Sequence, residues 1–416
     1  MVSRRSSYEV VVAGGGPAGA TAAALIAEAG HAVLLVERSS QAQFKIGESL
    51  MPATYSVFER LGLLEAMRRS DYPQKRSVQF YDRDGRPSRP FYFHEFDPAP
   101  SSQTWQVLRS TFDQMLVDNA ARKGAEVVRG TAVAEPLLDG EAVVGARLRA
   151  ADGATAEVGC RVLVDATGQS SLLARRFGLR RVENRLRNVA FFTHYSEARL
   201  DEGIDAGATI IYHTVGGGSW FWFIPLPGER VSVGVVGDVG RLVAGRAREP
   251  EQVFEEELAR CPALAERLAS ARRLMPMQAV RDFSYTTGEG AGDGWILVGD
   301  AFGFIDPIYS TGVFLALKSG EMAADAVAGA LAADRPSGEG LGAHLPELRR
   351  GVEALRRLVY AFYDDDFSFA EFLGRHPDCR ASLVHMLMGN VFSHSMEDLL
   401  AALDESQAPP IAEAGP

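Results

Sequence analysis

The stretch YEVVVAGGGPAG, Tyr8 to Gly19, constrains the fold more than any other part of the chain. Tyr8 to Ala13 is a Val-rich run of strand length that breaks directly into Gly14-Gly15-Gly16-Pro17-Ala18-Gly19. An Ala-rich helix, Ala20 to Ala29, follows. Gly30 ends it, and His31 to Val36 forms a second apolar strand closed by Glu37. A strand, glycine turn, helix and strand in this order build one edge of a parallel sheet and a dinucleotide pocket together. Gly14 and Gly16 permit the tight turn and bring backbone close to a pyrophosphate, while Gly19 lets helix and strand pack closely. The helix N-terminus offers unbonded N–H groups to the phosphates. Glu37 stands about 20 residues on, where an acid binds ribose hydroxyls. Ala18 and Arg38 are assigned to the same pocket.

The chain has 416 residues, enough for about two to three domains or one large composite one. Its hydrophobic content of 46% and charged content of 23% are those of a soluble globular protein. A net charge of -11 argues against nucleic acid as the main partner and offers nothing to an anionic membrane surface. Two arginines ahead of an apolar run mimic a secretion signal, but glycines interrupt that run after about five residues. No stretch reaches the roughly 18 apolar residues of a membrane span. Cys160, Cys261 and Cys379 are far apart and form no CxxC pair, so neither a metal site nor a disulfide framework is indicated and a cytoplasmic location is expected.

Two further glycine turns follow strands. Val162 to Asp165 runs into Ala166-Thr167-Gly168, and Trp295 to Val298 runs into Gly299-Asp300-Ala301. The expected fold class is α/β: a Rossmann-like nucleotide-binding domain with an inserted β-rich substrate domain and a helical C-terminal region. The first takes residues 1–70, 104–180 and 280–335, and the second 71–103 and 181–279, where aromatic-rich strands alternate. Residues 336–405 read as helices and 406–416 as a disordered tail.

The three glycine motifs resemble the FAD-binding fold of the aromatic hydroxylase superfamily, with Asp300 in the place of the aspartate that holds the ribityl chain and pyrophosphate. The third motif has Asp165-Ala166 where nicotinamide-using hydroxylases show Asp-Gly, and there is no second GxGxxG. Both features imply flavin reduced elsewhere, by a partner flavin reductase. Trp220-Phe221-Trp222-Phe223-Ile224-Pro225 fits W-x-W-x-I-P, the signature of flavin-dependent halogenases. Phe304, Pro307, Ser310 and Gly312 fit F-x-x-P-x-x-S-x-G, and Gly47-Glu48-Ser49 with Leu50 and Pro52 is similar to that family's GES segment. Chain length places the resemblance in the phenol and pyrrole branch.

The resemblance implies the chemistry. Reduced FAD and O2 give a C4a-hydroperoxide, which oxidises chloride or bromide to hypohalous acid. A lysine then delivers it for electrophilic halogenation of a phenolic or pyrrolic substrate, in natural-product biosynthesis. Lys75, past the GES segment at a strand start, matches the family's lysine; a solvated residue beside Arg76 is its alternative. Lys45 is the rival and is expected to meet solvent or FAD. Burial in an apolar tunnel would lower the pKa of such a lysine. Thr311 and Gly312 match the halide site, Pro307 shapes its turn, and Glu48, Ser49 and Arg109 (in RSTFD) fall near FAD. Trp220 and Trp222 share one strand face and would form a barrier between flavin and substrate. The substrate is free or tethered to an acyl or peptidyl carrier protein, and helical stretches at Arg272-Arg273 and Arg349 to Arg357 could dock the latter. An FAD-dependent monooxygenase or a reductase like those saturating isoprenoid chains remains the alternative.

Overall fold

The computed structural model describes residues 5–41, 44–243, 249–281, 283–334 and 336–407. Most of the expected tail therefore lies outside the described residues, although the last helix, Glu397–Gln407, takes in its first two residues.

Five strands form the parallel part of the first sheet, in the spatial order Trp295–Leu297, Thr155–Asp165, Ser7–Ala13, Val33–Glu37, Glu126–Arg129. An antiparallel hairpin, Thr131–Asp139 and Ala142–Ala150, extends the sheet through Thr155–Asp165. Parallel strands are covered on both faces, which is why Val10, Val11 and Val12 are all fully buried. The three glycine turns of the sequence thus lie side by side at the carboxyl ends of adjacent strands, where open α/β sheets bind ligands.

Helix Pro17–Glu28 packs on this sheet because glycine removes the atoms that would block it. Gly14 has φ +111°, and a Cβ there would stand 2.2 Å from the Ala166 carbonyl oxygen. A Cβ on Gly19 would meet the Gly14 carbonyl oxygen at 2.0 Å and Ala166 Cβ at 2.8 Å. The long helix Thr311–Ala332 lies against Pro17–Glu28 in the same way, with Gly320 over the Ala18 carbonyl.

The second sheet runs Arg272–Arg273, Asn188–Ser196, Arg230–Asp238, Ser219–Leu226, Thr209–His213, Ser77–Tyr81, Phe91–Tyr92, with Gln278–Arg281 also on Asn188–Ser196. Ser219–Leu226 is central and buried along its whole length. One of its faces carries Trp220, Trp222 and Ile224, with Trp220 against the C-terminal helices. The other carries Phe221 and Phe223 toward helices Pro250–Ala259 and Pro262–Arg267. Two covered faces explain an unbroken apolar run where a half-exposed strand would alternate. Arg272–Arg273 is a strand and not the helical stretch expected from sequence, because it completes the edge beside Tyr195 and Ser196.

The C-terminal region is helical: Leu345–Tyr363, Phe369–Arg375, Cys379–Met388 and Glu397–Gln407. The three cysteines are free and buried. Among the described residues no helix is long and apolar enough to cross a membrane. The helix contact at Gly320 is testable. Gly320→Ala places a Cβ 2.4 Å from the Ala18 carbonyl oxygen, a backbone atom that cannot swing away. We expect a loss of about 1–3 kcal/mol by denaturant melting; an unchanged midpoint would contradict the contact.

Candidate active site

A cavity of about 440 Å³ lies between the two sheets. It runs from Glu37 and Arg38 beside the first sheet to Trp222 and Ile224 on the second. Gly14, Gly16, Ala18, Glu48, Ser49, Arg109, Asp300, Pro307 and Gly312 also border it. Of the sequence-derived candidates, Gly19, Lys75, Trp220 and Thr311 do not.

The first-sheet end suits a dinucleotide. Nothing stands within 4 Å of where a Gly16 Cβ would be, at the N-terminus of helix Pro17–Glu28. That leaves open space in front of free N–H groups. The Glu37 carboxylate accepts the Gly15 N–H at 2.7 Å and the Ser39 N–H at 2.8 Å. Burial works to raise its pKa, but these two N–H donors and Lys45 hold it below the usual range. Asp300 sits where the third glycine turn meets the cavity. Burial pushes it up to about 6, against the pull of Arg109 and Lys45. Gly19 serves the helix contact and does not touch the cavity itself.

Arg109 opens helix Arg109–Arg122 and grips Asp113 two-pronged, Nε to Oδ1 at 2.8 Å and Nη2 to Oδ2 at 3.0 Å. Its remaining arm, Nη1, donates to the Ile46 carbonyl at 2.6 Å. Burial opposes its charge, yet Asp113, with Asp300 and Glu48, keeps its pKa raised. Arg109 therefore both forms the helix ion pair and presents a cation to the cavity wall. Lys45 borders the cavity too, half-exposed and 3.9 Å from Asp113.

The second-sheet end holds the aromatic and loop residues. Trp222 borders the cavity, lies across Gly234 where a Cβ would come within 2.3 Å of its ring, and donates to Ser232 Oγ at 3.1 Å. Trp220 lies two residues along the same face, 6.1 Å away between ring centroids, and reaches the C-terminal helices instead. The pair thus shares a face as expected, but only Trp222 walls the cavity. Ser310 adopts a left-handed φ of +60° at the N-cap position of helix Thr311–Ala332, without a capping side-chain bond, and the first turn of that helix faces the cavity through Gly312 and Val313. The space that a Gly312 Cβ would need is taken by the Phe304 ring, 2.8 Å away. Thr311 is buried behind them.

Lys75 is 4% exposed, which removes the surface alternative. Its strand, Gln74–Lys75, pairs with Thr104–Trp105 and packs directly on Gly207, where a Cβ would be 2.1 Å from the Gln74 carbonyl oxygen. Nζ donates to Ser49 Oγ at 2.8 Å and to the Leu50 carbonyl at 3.0 Å. The Phe93 ring lies 6.0 Å from it. Burial lowers its pKa to about 7, with no charged group contributing.

Sequence reasoning missed several partners. His194 Nε2 bonds the buried Glu48 carboxylate at 2.9 and 3.1 Å. Thr209 bonds Ser49 at the cavity wall, and Gln106 bonds Thr209. Tyr363 donates to the buried Asp306, which also accepts from Asn188 and the Ile308 N–H; burial pushes Asp306 up to about 7 despite these donors. None carries a local pattern, since each meets its partner only across strands or helices far apart in the chain.

Fold and cavity together define an FAD-dependent enzyme, and the family of FAD binding domains matches residues 7–335. Within it the chain belongs to the flavin-dependent halogenases, with FAD as cofactor and a halide, chloride or bromide, as substrate. It is 35% identical over 330 residues to the 1H-pyrrole-2-carbonyl-(peptidyl-carrier protein) brominase of Pseudoalteromonas luteoviolacea, covering 78% of each chain. It is 29% identical over 420 residues to the corresponding chlorinase of Pseudomonas fluorescens, covering 96% of this chain and 92% of that one. The solved structure of the flavin-dependent brominase Bmp2 matches with a TM-score of 0.85 at 30% identity, over 96% of this chain and 98% of Bmp2.

Asp300 gives a pH test with a definite sign. An acid whose folded pKa is raised subtracts stability as pH climbs from its unfolded value, about 4, to its folded value of about 6. Asp300→Asn should therefore melt higher than the unaltered apoprotein above that window and show no gain below it. A gain that is equal on both sides would refute the burial argument.

Proposed function

We propose that this halogenase installs its halogen on an electron-rich ring through Lys75, and that the ring is a pyrrolyl group carried on a peptidyl carrier protein. The observation that carries the first part is the burial of Lys75 without a carboxylate, one hydrogen bond behind the cavity wall at Ser49. An amine with a pKa of about 7 is substantially neutral at physiological pH, and only the neutral form has a lone pair for an electrophilic halogen. Two relatives whose names specify that tethered pyrrole support the second part.

Reduced FAD with O2 supplies the oxidising equivalents that turn halide into hypohalous acid; a separate flavin reductase provides the reduced form. The chain's residues do the rest. Gly14, Gly16, Glu37, Arg38, Arg109 and Asp300 would hold the nucleotide end. The first-turn N–H groups of helix Thr311–Ala332, at Thr311 and Gly312, have no intrahelical acceptor and form the halide site beside Pro307. Trp222 closes the cavity toward the second sheet, so that organic substrate stays out while a small oxidant reaches Lys75. The docking arginines are partly committed already: Arg273 pairs with Glu251, Arg356 with Glu353 and Arg357 with Asp404.

With reduced FAD, O2 and bromide, the pyrrolyl carrier should gain the mass of bromine, and free phenols less or none. Oxidised product without halogen would overturn the reading. Lys75→Ala should abolish halogenation while flavin oxidation continues; surviving halogenation would reject the lysine. Trp222→Leu should raise the share of oxygenated product seen by mass spectrometry, whereas an unchanged product spectrum would reduce Trp222 to a packing residue.

A further inference from the structure

The polar string behind the cavity wall can be counted proton by proton. Gln106 Nε2 donates to the Gly207 carbonyl at 2.8 Å and to Thr209 Oγ1 at 2.9 Å. The Gly207 carbonyl, an acceptor only, fixes the amide this way round, although that leaves the buried Gln106 Oε1 without a partner. Lys75 Nζ, a donor to Ser49 Oγ, enters from the other end at 2.8 Å. Between the two fixed donors stand two hydroxyls, Ser49 and Thr209, 2.9 Å apart. One bond joins them and uses one hydroxyl proton. The second proton has no protein acceptor among the described residues, and both Ser49 and Thr209 border the cavity. Where Thr209 spends its proton on Ser49, the hydroxyl donor left for whatever occupies that wall is Ser49 itself, one bond from the lysine.

We infer that Ser49 relays a proton from Lys75 into the cavity, so that the amine becomes neutral in the same event that oxidises the halide. The inference rests on the reading that Lys75 handles the halogen. The proton balance asks for such a link. A halide that takes one oxygen from an O–O bond forms the X–O bond as the O–O bond breaks. The halide loses two electrons, and the second oxygen leaves as an anion that must take up one proton. Lys75 as an ammonium holds one proton too many to accept an electrophile. If Ser49 passes its hydroxyl proton outward and takes one from Nζ, both needs are met at once, and hypohalous acid arrives at an amine already neutral. The ammonium has three protons and two acceptors, Ser49 Oγ and the Leu50 carbonyl. The neutral amine bonds both acceptors and keeps its lone pair free.

No charged side chain is bonded to Ser49 other than Lys75 itself. Charged and titratable groups on the surrounding elements are otherwise engaged: Glu48 with His194, Arg109 with Asp113, and Asp205 with Ser77 and Tyr92. Arg76 bonds Gln74 on the exposed side, and Asp300 lies across the cavity. None of them contributes to the lowering of the Lys75 pKa.

The test compares the unaltered enzyme with Ser49→Ala, Ser49→Thr and Lys75→Ala at matched flavin occupancy, as single-turnover halogenation rates from about pH 6 to about pH 9. We expect Ser49→Ala to fall about tenfold behind near pH 6, where only about a tenth of the amine is neutral, and less than about twofold near pH 9, where nearly all of it is. Ser49→Thr should restore the rate. A second readout needs no flavin: competitive labelling of Lys75 in the apoprotein, read by peptide mass spectrometry, should titrate with the same midpoint in the unaltered and Ser49→Ala proteins. A Ser49→Ala loss equal at every pH, no loss at all, or a Lys75 midpoint returned to the ordinary lysine range would overturn the relay. Lys75→Ala that still halogenates would instead bring down the lysine reading on which the relay rests.

Discussion

Burying the Lys75 amine with only a hydroxyl, a carbonyl and an aromatic ring around it withholds the compensation that a carboxylate would give. A charged ammonium in that position is penalised, and the group responds by shifting its pKa toward neutrality. The surrounding architecture exists in a form that permits this. Gly207, in the turn ahead of Thr209–His213, lets the two-residue strand of Lys75 pack directly against it. Trp105 and Phe93 are fully buried beside it and exclude water. The GES segment folds back so that Ser49, and not Glu48, faces the amine; Glu48 is turned to His194 instead. Had Glu48 paired with Lys75, the carboxylate would have favoured the charged ammonium.

The first sheet achieves the opposite balance. There the task is to hold an anionic ligand, and the means are unpaired N–H groups and guarded cations in place of a desolvated base. The Arg109–Asp113 fork is buried on both sides, so the guanidinium keeps its charge and orientation while one arm grips the Ile46 carbonyl next to Gly47. Bidentate pairing of this kind is geometrically rigid. One cavity thus joins two environments: cationic and donor-rich beside the first sheet, and more apolar toward Trp222 and Ile224 on the second.

How much of this the sequence reveals depends on whether the signal is local. The strand, glycine turn and helix from Ser7 to Glu28 were legible because each step depends on neighbours in sequence and on steric demands only glycine meets. The aromatic strand was legible as a strand, and its alternation correctly put both tryptophans on one face. What alternation does not give is reach along the strand. Two residues of rise separate a tryptophan on the cavity from one among the C-terminal helices. Lys75 could be singled out only by resemblance, since an isolated lysine beside an arginine reads as surface. Its burial comes from Thr104, Gly207 and Phe93, which no spacing rule ties to it. Thr209, Gln106 and His194 lay hidden for the same reason.

Trp220 shows what the C-terminal helices add. Its indole N–H donates to Tyr363 at 2.9 Å, and Tyr363 donates to Asp306, the residue just before Pro307. Asp306 also accepts the Ile308 N–H, so the loop bearing Pro307 is held from within and from helix Leu345–Tyr363 at once. A buried carboxyl that collects three kinds of donor is costly to disturb, because breaking any one leaves a buried polar group unsatisfied. The signature strand and the signature loop are therefore not independent features that happen to share a cavity. They are joined by one hydrogen-bonded chain through a helix that neither motif contains, and the position of the first turn of helix Thr311–Ala332 follows from that chain.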